Sequence, residues 1–157
     1  MQTMLLLRLN FRDFVRTIIP PPEKSMDILL MAHSGLRWLV LLIAVIAIVK
    51  FLVGWLRRSP FTGLDRWLMA GFSGLMDLQV ILGLILLLWS GFTGMGLPFN
   101  RVAHGLIMIL AALVAHLSAR WRSAGDPVRF RSNLFLVVGA LVLVLIGIAV
   151  LPGGLSR

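Results

Sequence analysis

The sequence predicts an all-α integral membrane protein, an up-and-down bundle of four transmembrane helices preceded by a short amphipathic extension. Three observations carry this: the composition, four long apolar stretches, and basic residues gathered in alternate loops. Hydrophobic residues fill 59% of the 157 positions and charged residues only 13%. A soluble domain of this length has a high surface-to-volume ratio and needs a polar shell, which this chain lacks.

Each element can be read in order. Residues 1-25 place Arg8, Arg12 and Arg16 on one stripe and Leu5, Leu9, Phe14 and Ile18 among a potential apolar face, ended by Pro20-Pro21-Pro22. That pattern describes an interfacial amphipathic helix. Two explanations stand: a segment lying on the outer leaflet or a partner subunit, or an upstream extension with the true start at Met26. The four-helix domain is then 26-157. A helix needs roughly 20 apolar residues to cross a ~30 Å hydrocarbon core. Four stretches suffice, at about Ile28 to Trp55, Trp67 to Ser90, Val102 to Ala119 and Asn133 to Leu151. They read as helices because a segment in lipid must satisfy its own backbone hydrogen bonds. The chain has no cysteine, which excludes disulfides, thiolate nucleophiles, iron–sulfur clusters and covalent haem attachment.

Lys50, Arg57, Arg58 and Arg66 flank the first loop, and Arg120, Arg122, Arg129 and Arg131 the third, which is eight of fifteen Lys and Arg. The positive-inside rule puts these loops in the cytoplasm and both termini outside. Trp55, Trp67 and Trp121 fit an aromatic belt at that boundary. The net charge of +9 therefore reads as a topology signal. Nucleic acid is a poor partner for arginines on short loops beside apolar helices. The lipid bilayer, other membrane subunits or a homo-oligomer are the expected partners.

The histidines are His33, His104 and His116. Lys50 to His33 is 17 residues and Arg120 to His104 is 16. At 1.5 Å per residue, both lie ~24–26 Å above the basic boundary. With axes ~10 Å apart, the diagonal between helices one and three is roughly 14 Å. Two imidazoles on that diagonal, at one level, suit a haem iron between them, and bundle cores are a usual place for cofactors. Counting to the same level on helices two and four reaches Gly83 and Gly147, which would leave room for a macrocycle. The competing reading is that glycine mediates close helix packing.

Arg37 lies one turn below His33 inside an apolar helix, where a charge is costly and usually functional. A haem propionate is one expected partner and an ion pair with Asp77 the other. Arg101, three residues before His104, is placed for a propionate or is an ordinary interfacial arginine. Asp77, ~16 Å from the boundary by count, is expected to point into the bundle. With Gln79 it is a candidate for proton transfer or quinone binding, although i and i+2 do not share a helix face. His116 is read as a satisfied interfacial histidine, and Met108 as core.

The runs His33-Ser34-Gly35-Leu36-Arg37-Trp38, Pro60-Phe61-Thr62, Asp77-Leu78-Gln79-Val80-Ile81-Leu82-Gly83 and Arg101-Val102-Ala103-His104 are distinctive together. From about residue 26 to the C-terminus the chain resembles a family of small bacterial four-helix membrane proteins usually labelled cytochrome b-like. Ala103 stands where an acid often precedes the helix-three histidine, and Asp77 where some members have histidine. The resemblance implies a multi-pass protein of the bacterial cytoplasmic membrane that takes part in electron transport with haem b held by His33 and His104.

Three functions follow, in order: a b-type cytochrome-like subunit with one haem between helices one and three, a haem-free structural subunit of a larger respiratory or photosynthetic complex, and a small proton-coupled transporter. With no soluble domain, an electron-transfer or accessory role is expected ahead of catalysis. No inverted repeat supports the transporter.

Overall fold

The computed structural model describes residues 22–92 and 96–154. Residues 1–21, which hold nearly all of the expected amphipathic extension, lie outside the described residues. Among those described, four helices run in order: α1 (Pro22–Leu56), α2 (Gly63–Phe92), α3 (Phe99–His116) and α4 (Asp126–Ala149). A 3-10 turn, Leu117–Trp121, continues α3. All four are long and apolar enough to cross a membrane, which makes this a multi-pass membrane protein.

Contacts run α1–α2, α2–α3, α3–α4 and α4–α1, so α1 and α3 face each other across the diagonal. Each helix turns a narrow stripe inward. On α1 it is Val40, Ala44, Ala47 and Phe51; on α3 it is Met108, Ala111, Ala112 and Ala115. These follow the three- and four-residue spacing of one helix face. The fully buried alanines let backbones approach closely, the usual solution where lipid offers no hydrophobic drive to association. Outside, Ile28, Leu42, Val49, Leu88, Leu113 and Phe135 are exposed, as a lipid-facing surface requires.

The end carrying the basic loops is closed by aromatic rings. Phe51, Phe61 and Phe130 meet with centroids 4.9 and 6.4 Å apart. Arg129 lies 3.8 Å above the Phe61 ring. Beside them Asp65, fully buried, accepts from the Thr62 backbone N–H at 2.8 Å and its hydroxyl at 2.7 Å, and pairs with Lys50 at 3.2 Å. Thr62 and Asp65 form the capping arrangement that starts α2. The α1 end closes with Ser59 N–H on Gly54 O and Arg58 N–H on Trp55 O. That is a Schellman motif, and it forces Arg58 into the left-handed region at φ 51°.

Helix ends differ from the sequence expectation. Helix α1 already begins at Pro22, and α2 and α4 begin several residues before the apolar runs. Arg129 and Arg131, expected in a loop, stand in the first turns of α4 behind Pro127. Proline there loses no hydrogen bond, because first-turn N–H groups have no partner within the helix.

Candidate functional site: a histidine-lined cavity between the helices

Above the packed alanines, at the end opposite the basic loops, the bundle opens into a cavity of about 540 Å³. His33, Arg37, Gln79, Gly83, Arg101 and His104 all line it. The two histidines matched in depth thus share one space, and they come from the diagonal helices α1 and α3.

Position follows from local sequence. His104 Nδ1 lies 2.8 Å from the carbonyl oxygen of Gly147 on α4. A carbonyl only accepts, so Nδ1 carries the proton, and Nε2 of the neutral ring keeps its lone pair. That acceptor is a backbone carbonyl on a neighbouring helix. Gly147 also makes room: a Cβ there would run into the Met108 side chain and stand 3.5 Å from His104 Nδ1.

His33 is held differently. The Gln79 amide nitrogen donates to the His33 carbonyl at 3.0 Å and stands 3.3 Å from His33 Nε2. The carbonyl fixes which way the amide points, so Nε2 is the acceptor and Nδ1 carries the proton. His33 Nδ1 and Gln79 Oε1 are buried without a hydrogen-bond partner among the described residues. Each such orphan costs about 1–3 kcal/mol and marks a place where another group belongs. Gly83, one turn from Gln79, sets the ring close: a Cβ there would stand 3.1 Å from His33 Cε1.

Two expectations are corrected. Asp77 does not point into the bundle and does not pair with Arg37. Its carboxylate meets His116 Nε2 at 2.8 and 2.9 Å on the outer flank between α2 and α3. Both side chains are about half exposed, at 44% and 52%. The reason is rotation: Gln79, two residues on, takes the inward face, and positions i and i+2 do not share one. The expected proton or quinone grouping of Asp77 with Gln79 is therefore split between the outside and the inside. Counted depth also set Asp77 well above His116. The anchors differ in level, because Ser118, Ala119, Trp121 and Arg122 line a second cleft with Arg66, Met69, Ala70 and Ser73. His116 is the satisfied histidine the sequence suggested, with Asp77 as its partner.

The remaining candidates fall at the cavity. Arg37 lies 5.2 Å over the Trp38 ring and reaches the cavity wall. Arg101 is exposed at its rim. Met108 is buried core, as expected. Sequence reasoning missed the pairing of Gln79 with His33, although Gln79 and Gly83 sit four residues apart on one face. It also missed the buried Asp65, whose signal was the Thr62-x-x-Asp65 spacing.

The cavity suits a haem on grounds internal to the structure. Its volume lies within the roughly 300–1,000 Å³ of cofactor-sized sites. It offers two imidazoles and orphaned polar atoms. Gly83 lines it, whereas Gly147, expected to leave room for a macrocycle, lies outside the lining with Met108 and His104 packed against it. Among the described residues no group of three or more His, Cys, Asp or Glu could hold a bare metal ion. Searches of protein-family models, curated proteins and solved structures found no match to this chain.

Proposed function

We propose that the protein is a b-type cytochrome-like membrane subunit, binding one haem between α1 and α3 for electron transfer. The observation that carries this is that His33 and His104, on diagonal helices, line one cavity together with Gly83. Bound haem supplies a one-electron couple. His104 presents Nε2 because Gly147 holds its Nδ1–H, the kind of support that fixes tautomer and ring direction at a metal. His33 can release Nε2 from Gln79, whose 3.0 Å bond to the His33 carbonyl is the shorter and keeps the amide in place. Arg37 and Arg101 are cations on the wall and rim, suited to propionates. Val40, Met76, Val80 and Met108 are the apolar wall that excludes water.

A reduced-minus-oxidised visible spectrum of the purified protein tests it. A low-spin b-type signal is expected, lost in His33→Ala and in His104→Ala and kept in His116→Ala. Gly83→Val, which crowds His33 without removing a ligand, should also diminish it. A protein isolated with no haem signal, and unable to take up added hemin, sinks the reading and leaves the haem-free structural subunit in its place.

We further propose that the basic loops face the cytoplasm and both termini lie outside, in a bacterial cytoplasmic membrane. The loop charges support this. Because the native chain has no cysteine, Ser59→Cys or Gly125→Cys gives a single label site. Neither should react with an impermeant reagent added from outside; reaction of either reverses the orientation.

A further inference from the structure

The second cleft, about 220 Å³, lies at the basic end and is lined by Arg66 from α2, Arg122 beyond the 3-10 turn, and Arg129 and Asn133 from α4. Loop charge alone would set topology at any position around the bundle. Here three arginines from three separate elements line one space. No carboxylate lies within ion-pair distance of Arg66 or Arg122 among the described residues. Arg129 is 14% exposed, and its one acidic neighbour, Asp126, is 3.8 Å away, too far for a hydrogen bond. Its ring contact with Phe61 holds it in place. Asn133, 6% exposed, adds a buried amide to the lining.

We propose that this cleft binds the phosphate of an anionic phospholipid headgroup. Guanidinium forks match phosphate oxygens, and donors to an anion are the stronger class of hydrogen bond. The cleft is too small for a macrocycle but accommodates a headgroup phosphate. It sits where a membrane surface meets the helix ends, with Trp121 in its wall and the exposed Trp67 and Leu117 beside Arg66 and Ser118. Basic pockets between membrane helices are a recognised place for lipid headgroups. The site is separate from the histidine cavity and does not depend on haem.

Delipidated protein in neutral detergent, titrated with phosphatidylglycerol or phosphatidylcholine and followed by native mass spectrometry, tests the proposal. One phosphatidylglycerol should bind at concentrations where phosphatidylcholine does not. Arg66→Gln with Arg122→Gln should weaken it by about tenfold or more, as expected for losing charge-assisted hydrogen bonds. Arg57→Gln with Arg131→Gln removes equal charge from outside the cleft and should change it by no more than about twofold, since exposed charges are well screened. Arg122→Gln alone, at an exposed position past the helix end, carries the test if the double variant does not fold. Equal binding of the two lipids, or equal loss in the control pair, overturns the proposal. So does inorganic phosphate binding that depends on Arg66 and Arg122 while lipid does not bind, which would assign the cleft to the free anion.

Discussion

Lys50 and Asp65 should respond unequally to removal, although they are partners. The Asp65 carboxylate is wholly buried, while the Lys50 side chain is 39% exposed. Lys50→Met takes away the cation at 3.2 Å and leaves a buried carboxylate with only the two Thr62 donors and the start of α2 for company. Breaking a buried pair from that side costs about 3–5 kcal/mol, and the Thr62 donors put this case near ~3. Asp65→Asn keeps an acceptor for Thr62 and frees an ammonium that can extend its stem to water, so about 1 kcal/mol is expected. The double variant should cost less than Lys50→Met alone, about 1–2 kcal/mol, because no charge is then stranded. Reversible unfolding in mixed micelles, titrated with dodecyl sulfate and read by circular dichroism, measures all three. If Asp65→Asn costs as much as Lys50→Met, or if the double variant equals the sum, the burial argument is wrong.

Other outcomes follow from the same packing. Arg58→Gly should stabilise the protein by about 1 kcal/mol in that titration, since a left-handed residue other than glycine costs roughly 1–2 kcal/mol. Gly54→Ala should destabilise it, because a Cβ there strikes the fully buried Phe130 ring, and overpacking typically costs about 1–3 kcal/mol. Gly74→Ala, where a Cβ meets nothing within 4 Å, should be neutral or stabilising; similar losses at both positions would show that Phe130 is not the obstacle.

Which histidines gather at the end away from the basic loops was legible in the sequence; relative height between α2 and α3, and rotation, were not. A helix rises by a constant step, so counting from Lys50 and Arg120 put His33 and His104 at one level, and the structure places them in one cavity with Gly83 and Gly147 beside them. The same count failed for Asp77 and His116, because Arg66 and Arg120 do not mark the same height. Nor does counting say which way a side chain turns, and Asp77 turned outward. Hydropathy placed four helices but cut α2 and α4 short, since it stops at charges such as Arg66, Arg129 and Arg131. The helix starts were written in Thr62-x-x-Asp65 and Pro127 instead. The Gly147 carbonyl had no signature at all, because every residue carries one.

The aromatic closure at the basic end makes the bundle a socket with a closed floor. Phe51 lies 18 residues from His33 along α1, so ~27 Å of helix separates the closed floor from the histidines. Between the cavity and that floor, Ala44 and Ala47 are fully buried in packed core. The floor can also hold the four helices in register while the mouth, with fewer packed contacts, loosens first. The fold can thus assemble empty and be loaded afterwards.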